Sequence, residues 1–377
     1  MHSKIIAGFL SLFMQQEKEP AVTPAGKLIR KECSYLSSII PVVELQNLIL
    51  SYLPDWEEIQ EFHAENAIHS LEFSLDGQYV ASGSYRGELC FFRFCKGELK
   101  LLQCAKIDSF AIEQLAFSPD GNYLAARCNG GYINIYTLVN DKLCFFEQIK
   151  PNACLIQSIA FHKTFFAYAI EDSSNKHKAI IGTLSKNKNY TVVQERLFDT
   201  PILQMSFSPN DKFVVFGLAK SIEFCESLDN KLKLIKTIPI NGQIRGIAIS
   251  PDSQLIIVSY TRYPDQQAII IMFQCGHGKF ELIQILEINI ADLFSNKCSM
   301  NHNSMACSGK YLSAGFGNKL QIWQLKNKQL EPVQSCKIGQ FHVLKTTFSP
   351  QGTYLLTGSN FAPIKLWHNQ KLELMDK

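Results

Sequence analysis

Phe117-Ser118-Pro119-Asp120-Gly121 decides the fold, because this stretch returns along the chain at a near-constant interval. Its chemistry is that of a tight turn. A type I turn favours Ser at its first position, Pro with its fixed φ at the second, Asp or Asn nearby and Gly at the fourth. Further copies begin at Phe73 (Ser74-Leu75-Asp76-Gly77), Phe207 (Ser208-Pro209-Asn210-Asp211), Ile249 (Ser250-Pro251-Asp252-Ser253) and Phe348 (Ser349-Pro350-Gln351-Gly352). Two worn copies fill the gaps, at Phe161 before His162-Lys163 and at Met305 before Ala306-Cys307-Ser308-Gly309. From residue 73 to 348 the intervals are 44, 44, 46, 42, 56 and 43 residues, so seven units tile the chain from about residue 62 to its end.

Each turn is followed by an apolar run and a small-residue break, as in Tyr79-Val80-Ala81-Ser82-Gly83-Ser84 and Tyr354-Leu355-Leu356-Thr357-Gly358-Ser359. A third, alternating run comes next, as in Ile133-Asn134-Ile135-Tyr136 and Leu320-Gln321-Ile322-Trp323. Alternation is the period of a half-buried strand. A fourth follows a polar turn, as Asn140-Asp141-Lys142 precedes the run from Leu143 to Ile149. Four strands in about 44 residues make one blade of a β-propeller.

This pattern resembles the WD-repeat family, whose period of about 40–45 residues fits better than the roughly 50 of kelch. The resemblance covers about residues 62–377, over four fifths of the chain, and implies an all-β, seven-bladed propeller. The family's Gly-His and Trp-Asp dipeptides are nearly absent. Trp closes the third strand only at Trp323 and Trp367, with Phe92 and Tyr136 in the corresponding places, and the Asp before that strand is replaced by Arg86, Gly130, Gly317 and Phe361. Blade cohesion is therefore expected to rest mainly on apolar packing. Two closures of the ring are open: Glu57 to Phe62 can complete the last blade, as N-terminal strands often do in this family, or Lys371 to Met375 can.

Composition agrees with such a chain. The 377 residues suggest two or three domains or one repetitive one. At 46% hydrophobic they can bury a sizeable core, and 26 Phe and 13 Tyr beside 3 Trp favour strands. A net charge of +3 gives no bulk attraction for nucleic acid or anionic membrane. The 12 Cys show no Cys-x-x-Cys pair, and most sit in apolar runs, such as Cys90 and Cys95 around Phe91-Phe92. They are read as buried, reduced thiols of a cytoplasmic protein. Ile5 to Met14 is too short to span a bilayer and lacks a signal-peptide cleavage pattern after it.

Residues 1–35 are read as an N-terminal extension, 36–56 as an amphipathic helix and 57–377 as the propeller. In the middle segment Leu45, Leu48, Ile49, Tyr52 and Leu53 fall at helical spacing, Pro41 suits a first turn and Pro54 stops the helix. The segment resembles the opening helix of an F-box, which implies docking through Pro41, Leu45, Leu48, Ile49 and Leu53 on a Skp-type linker of a ubiquitin ligase. Ile40 departs from the opening Leu, and the later helices of the box are missing. A helix that plugs or covers the propeller is the alternative.

Catalytic signatures are absent: no Gly-x-Ser-x-Gly elbow and no phosphate-cradling loop occurs, and Gly315-Phe316-Gly317-Asn318-Lys319 reads as a turn between strands. Cys298, His302 and Cys307, with His277, form the one metal-like cluster, but zinc sites favour Cys-x-x-Cys pairs and a long loop is the better reading. Propeller hydrolases of the lactonase type set acidic or His ligands around the channel. The positions that open the inner strands here, His69, Glu113, Gln157, Leu203, Arg245, Asn301 and Leu344, include one carboxylate. No enzyme, cofactor or metal site is expected.

Those positions, with the turns before the third strands, are where the family presents its partner-binding face. The candidate residues are His69, Tyr85, Arg86, Asn129, Arg245, Arg262, Asn301, Phe316, Asn360 and Phe361, accompanied by Tyr263. Arg, Tyr and Phe are favoured interface anchors. Lys220, Lys319 and Lys345 add a basic tint, too sparsely interleaved with aromatics for a nucleic-acid platform. The expectation is a noncatalytic scaffold, monomeric outside its complexes, that binds a protein or peptide on the rim.

Overall fold

A computed structural model describes residues 56–64, 66–151, 153–184, 190–228, 231–263, 267–276, 279–288, 305–338, 342–360 and 362–369. Among these residues the chain forms seven four-stranded antiparallel sheets and no helix. Six blades are consecutive in sequence: Ile68–Lys106, Ile112–Ile149, Ala153–Phe198, Ile202–Pro239, Gly242–Ile288 and Met305–Lys337. The seventh joins Val343–Phe348, Tyr354–Ser359 and Ala362–His368 to the first described strand, Glu57–Phe62, in its outermost place. The N-terminal strand therefore closes the ring. Of the helix read at 36–56 all but Trp56, and the whole strand read at 371–375, lie outside the described residues.

The Ser of each turn does more than favour a turn position. Its carbonyl accepts the turn amide at 2.8–2.9 Å, and its buried hydroxyl oxygen accepts a second amide five residues on, at Tyr79, Tyr123, Phe213, Leu255 and Tyr354. One side chain thus closes the loop that a blade needs between its first two strands. In the worn third copy His162 Nδ1 accepts from Thr164 in that role. The worn sixth copy corrects the register read from sequence. Cys307 pairs with Leu312 as Phe73 pairs with Val80, so Cys307, and not Met305, takes the repeating apolar position, and Ser308 takes the turn Ser with a shorter loop to Tyr311.

Seven apolar clusters form the core, and they lie between blades. Ala81, Leu89 and Phe91 of the first blade meet Ile112, Leu115 and Leu124 of the second. The third-strand aromatics Phe92, Tyr136, Trp323 and Trp367 are all buried, and so is the residue before each, because both faces of the third strand pack against neighbouring blades. Apolar packing does hold the blades together, but it is not alone.

A polar belt runs around the outer strands, and the reading above missed it. Gln60 donates to the carbonyl and accepts the amide of Leu99 in the next blade (3.1 and 2.8 Å). Gln103 does the same to Leu143 (3.4 and 3.1 Å), and Gln334 to Trp56 (2.8 Å each). Gln194 accepts from Leu232 and Gln284 from Leu330. Glu147 accepts from Tyr190, while Lys236 donates to the Phe280 carbonyl. These seven links join every blade to its successor. An outermost strand is an edge whose outward amides and carbonyls lack a strand partner. The belt supplies those groups with partners. Its signal is in the sequence, since each acceptor residue stands four before the next linking residue: Trp56/Gln60, Leu99/Gln103, Leu143/Glu147, Tyr190/Gln194, Leu232/Lys236, Phe280/Gln284 and Leu330/Gln334.

The ring-closing strand carries the same pair as Trp56 and Gln60. Trp56 is 1% exposed and packs against Tyr311 and Phe348, with ring centroids 5.4 and 5.5 Å away, sealing the sixth and seventh blades.

Cys90 and Cys104 depart from the expectation of reduced thiols. They stand opposite each other on the third and fourth strands of the first blade, and the structure joins them as a disulfide. A separation of 14 residues hides the pair until the strand register is known.

Replacing Trp56 by Ala should cost about 3–5 kcal/mol in equilibrium denaturation, the range for deleting a buried large aromatic. Gln334→Leu, which removes both closing bonds and little volume, should cost about 1–3 kcal/mol.

Candidate functional site

Strand direction puts the loop before each inner strand and the turn after each second strand on one face. Backbone bonds tie the two together in five blades: Tyr85 to Ala67, Asn129 to Ala111, Ala219 to Pro201, Tyr263 to Asn241 and Asn360 to His342, each amide donating at 2.8–3.2 Å. The candidate face is therefore a rigid rim rather than a set of independent loops.

The positions proposed from sequence to open the inner strands share a structural property. His69, Glu113, Gln157, Leu203, Arg245 and Leu344 are each the extra residue of a β-bulge, two residues of the inner strand opposing one of its neighbour. A bulge re-aims a side chain out of the pleat. Asn301 and Phe361, also proposed, lie outside the described residues, as do Pro41, Leu45, Leu48, Ile49 and Leu53.

The remaining candidates separate into engaged and available groups. Phe316 is 3% exposed and packs edge-on against Trp323 in the inter-blade core, so its side chain is not on the face. It ends a strand whose six residues are all buried, so it belongs to the core and not to the turn. Arg262 pairs with Glu287 at 2.8 Å. Glu113 is neutralised by Arg127 at 2.7 Å, whose guanidinium also donates to the Ile156 carbonyl of the next blade. Burial pulls Arg127 down while Glu113 favours its charge.

Arg245 differs. Its Nε donates to Thr261 Oγ1 at 3.1 Å, burial lowers its pKa, and no carboxylate pairs with it among the described residues. Its cation sits at the inner margin of the face.

The densest grouping lies at the first and second blades. His69 and Tyr85 pack with ring centroids 5.3 Å apart, and Tyr85, Arg86 and Asn129 are exposed. Phe110, absent from the sequence reading, joins them at 53% exposure. Two turn glycines make room for its loop: a methyl group on Gly130 would meet the Phe110 ring at 2.8 Å, and one on Gly87 would clash with the Asp108 carbonyl. Its signal in the sequence is an aromatic just before an inner strand. Tyr263, 49% exposed, lies on the fifth blade.

Below this face the inner strands line a cavity of ≈ 320 Å³. Its charged lining residues are Glu72 of the first blade and Lys345 of the seventh. Burial pushes the Glu72 carboxyl up to about 7, and Lys345 lowers it in part. Among the described residues no group of three His, Cys, Asp or Glu side chains could hold a metal; Cys298, His302 and His277 lie outside them. No described helix is long and apolar enough to cross a membrane.

A carboxyl raised on folding makes the native state bind more protons than the unfolded chain between pH 4.5 and about 7. Its contribution then falls as pH rises through that window. Glu72→Gln should flatten this part of the stability–pH curve and raise stability at pH 8 by about 1–3 kcal/mol, below the full shift because channel water screens the charge. Parallel melts of both proteins from pH 4 to pH 8 read the difference.

Residues 56–93 match the family described as "WD domain, G-beta repeat". That match begins one residue before the ring-closing strand and ends on the third strand of the first blade, so the sequence repeat is offset by one strand from the structural blade. No curated protein matches significantly. Among solved structures, the β-propeller domain of Cps50 (Swd1) from Myceliophteria thermophila is similar at a TM-score of 0.66 and 15% identity, covering 83% of this chain and 99% of that one. At that identity the likeness speaks for the fold alone. The chain is a seven-bladed β-propeller with a WD-type repeat spanning its ring closure.

Proposed function

We propose that this propeller is a noncatalytic scaffold that binds a protein or peptide on the face carrying His69, Tyr85, Arg86, Phe110, Asn129 and Arg245. The observation that carries the reading is the pairing of exposed aromatics with cations on a backbone fixed by the amide-to-carbonyl ties. Aromatic side chains bring large area at small entropic cost, and Arg adds planar hydrogen bonding. Arg245 supports an acidic group on the partner, because a half-buried guanidinium without a carboxylate among the described residues is completed by one from outside. Asn360 joins this surface through its backbone tie to His342, and Arg262 contributes as a paired, outlying charge.

The test is affinity capture from host cells with wild type and a Tyr85/Arg86/Arg245 triple alanine variant, both checked by circular dichroism. Loss of specific captured proteins by about tenfold or more is expected, in keeping with anchors worth above 1 kcal/mol each. An unchanged set from a folded variant contradicts the choice of face. Residues 36–56 offer a separate docking element: we propose that Leu45 and Ile49 contact a Skp-type linker, with Leu45→Asp and Ile49→Asp abolishing that binding.

A further inference from the structure

The Cys90–Cys104 pair sits where it can act on the candidate face. In the register of the first blade, Phe91 opposes Gln103, Cys90 opposes Cys104, Leu89 opposes Ala105 and Glu88 opposes Lys106. On one side of the pair is Gln103, which links this blade to Leu143 of the next. On the other, two residue pairs away, the third strand begins at the Tyr85-Arg86-Gly87 turn and the fourth ends in the Ile107–Phe110 loop. The Gly87 carbonyl accepts the amides of Ile107 and Asp108 at 2.9 and 3.3 Å, joining turn and loop. A covalent bond between these strands therefore staples the base of the corner that presents Tyr85, Arg86 and Phe110.

The thiols are also placed for exchange. Cys104 is exposed on the outermost strand and Cys90 is half-buried beneath it. In contrast, burial raises the thiols of Cys128, Cys225 and Cys307, which disfavours the thiolate that exchange requires. Cys95 and Cys144 are exposed but free.

We propose that Cys90 and Cys104 form a reversible thiol–disulfide couple that sets the rigidity of the Tyr85–Phe110 corner; its bearing on partner binding rests on the function proposed above. Oxidation proceeds by exchange with a low-molecular-weight disulfide. One cysteine thiolate attacks that disulfide, giving a mixed disulfide and releasing one small thiol. The second cysteine displaces the other small thiol and closes the Cys90–Cys104 bond. The two cysteines lose two electrons and two protons, and the small disulfide gains them as two thiols.

The test equilibrates the full chain in glutathione buffers at oxidising and reducing ratios, then maps free thiols by alkylation and mass spectrometry and follows amide hydrogen exchange. In the oxidising buffer Cys90 and Cys104 should resist alkylation and yield a cross-linked peptide pair, while Cys95 and Cys144 react. Reduction should restore both thiols and speed exchange in residues 84–88 and 106–111 by about tenfold, with the fourth and fifth blades unchanged. The Cys90→Ser/Cys104→Ser variant should show the faster exchange in both buffers. Full alkylation of both cysteines in the oxidising buffer, or equal exchange at both ratios, overturns the proposal. Both readouts are taken on the isolated chain, so they stand or fall independently of the partner capture that tests the face.

Discussion

A ring of sheets depends on the seam between one blade and the next, and here that seam is made twice. Inside, apolar residues from neighbouring blades interdigitate. Outside, one side chain per blade reaches across to the backbone of the following outer strand. The apolar layer buries the blade faces, and the belt adds directional bonds to it. A carboxamide that donates to a carbonyl and accepts the adjacent amide fixes the offset of two blades. Leaving such a backbone group buried and unpaired costs about 1–3 kcal/mol, so the belt matters out of proportion to its small area.

The same constraint settles the closure. The seventh blade needs an outer strand that both pairs with Ala362–His368 and carries a linking residue of the right spacing. Glu57–Phe62 meets both needs through Gln60 and is anchored by Trp56, whose backbone completes the belt with Gln334. Because Glu57–Phe62 and Ala362–His368 share one sheet, the ring opens only by breaking that pairing. This rigidity is what lets a rim of turns hold side chains in fixed relation.

The period, the seven blades and the turn chemistry were legible because Ser-Pro-Asp-Gly states a local backbone preference that survives when flanking residues drift. Phe92, Tyr136, Trp323 and Trp367 were legible because each closes an apolar third strand, and a blade packed on both faces buries them with their neighbours. The sixth unit was misread by two residues because its turn is shorter, and Ser308, not the proline position, marked the true register. Phe316 was misplaced on the face because an aromatic beside Gly317 reads as a turn residue until its burial is known. The belt was overlooked although its four-residue spacing is written in every unit; a Gln in an outer strand looks like solvent-facing polarity unless the next blade is in view. The Cys90–Cys104 pair needed the register as well, and Glu72 became visible only once the inner strands were seen to line a channel.

The belt makes a prediction that apolar packing alone does not. Outward amides of an edge strand exchange readily with solvent, yet those of Trp56, Leu99, Leu143, Tyr190, Leu232 and Leu330 each donate to a side chain of the preceding blade. At Phe280 the link runs the other way, from Lys236 to the carbonyl, and leaves the amide without that bond. Residue-resolved hydrogen exchange is therefore the most direct measurement. The account predicts protection of those six amides by roughly a hundredfold over the Phe280 amide. Equal, fast exchange at all seven positions would contradict it.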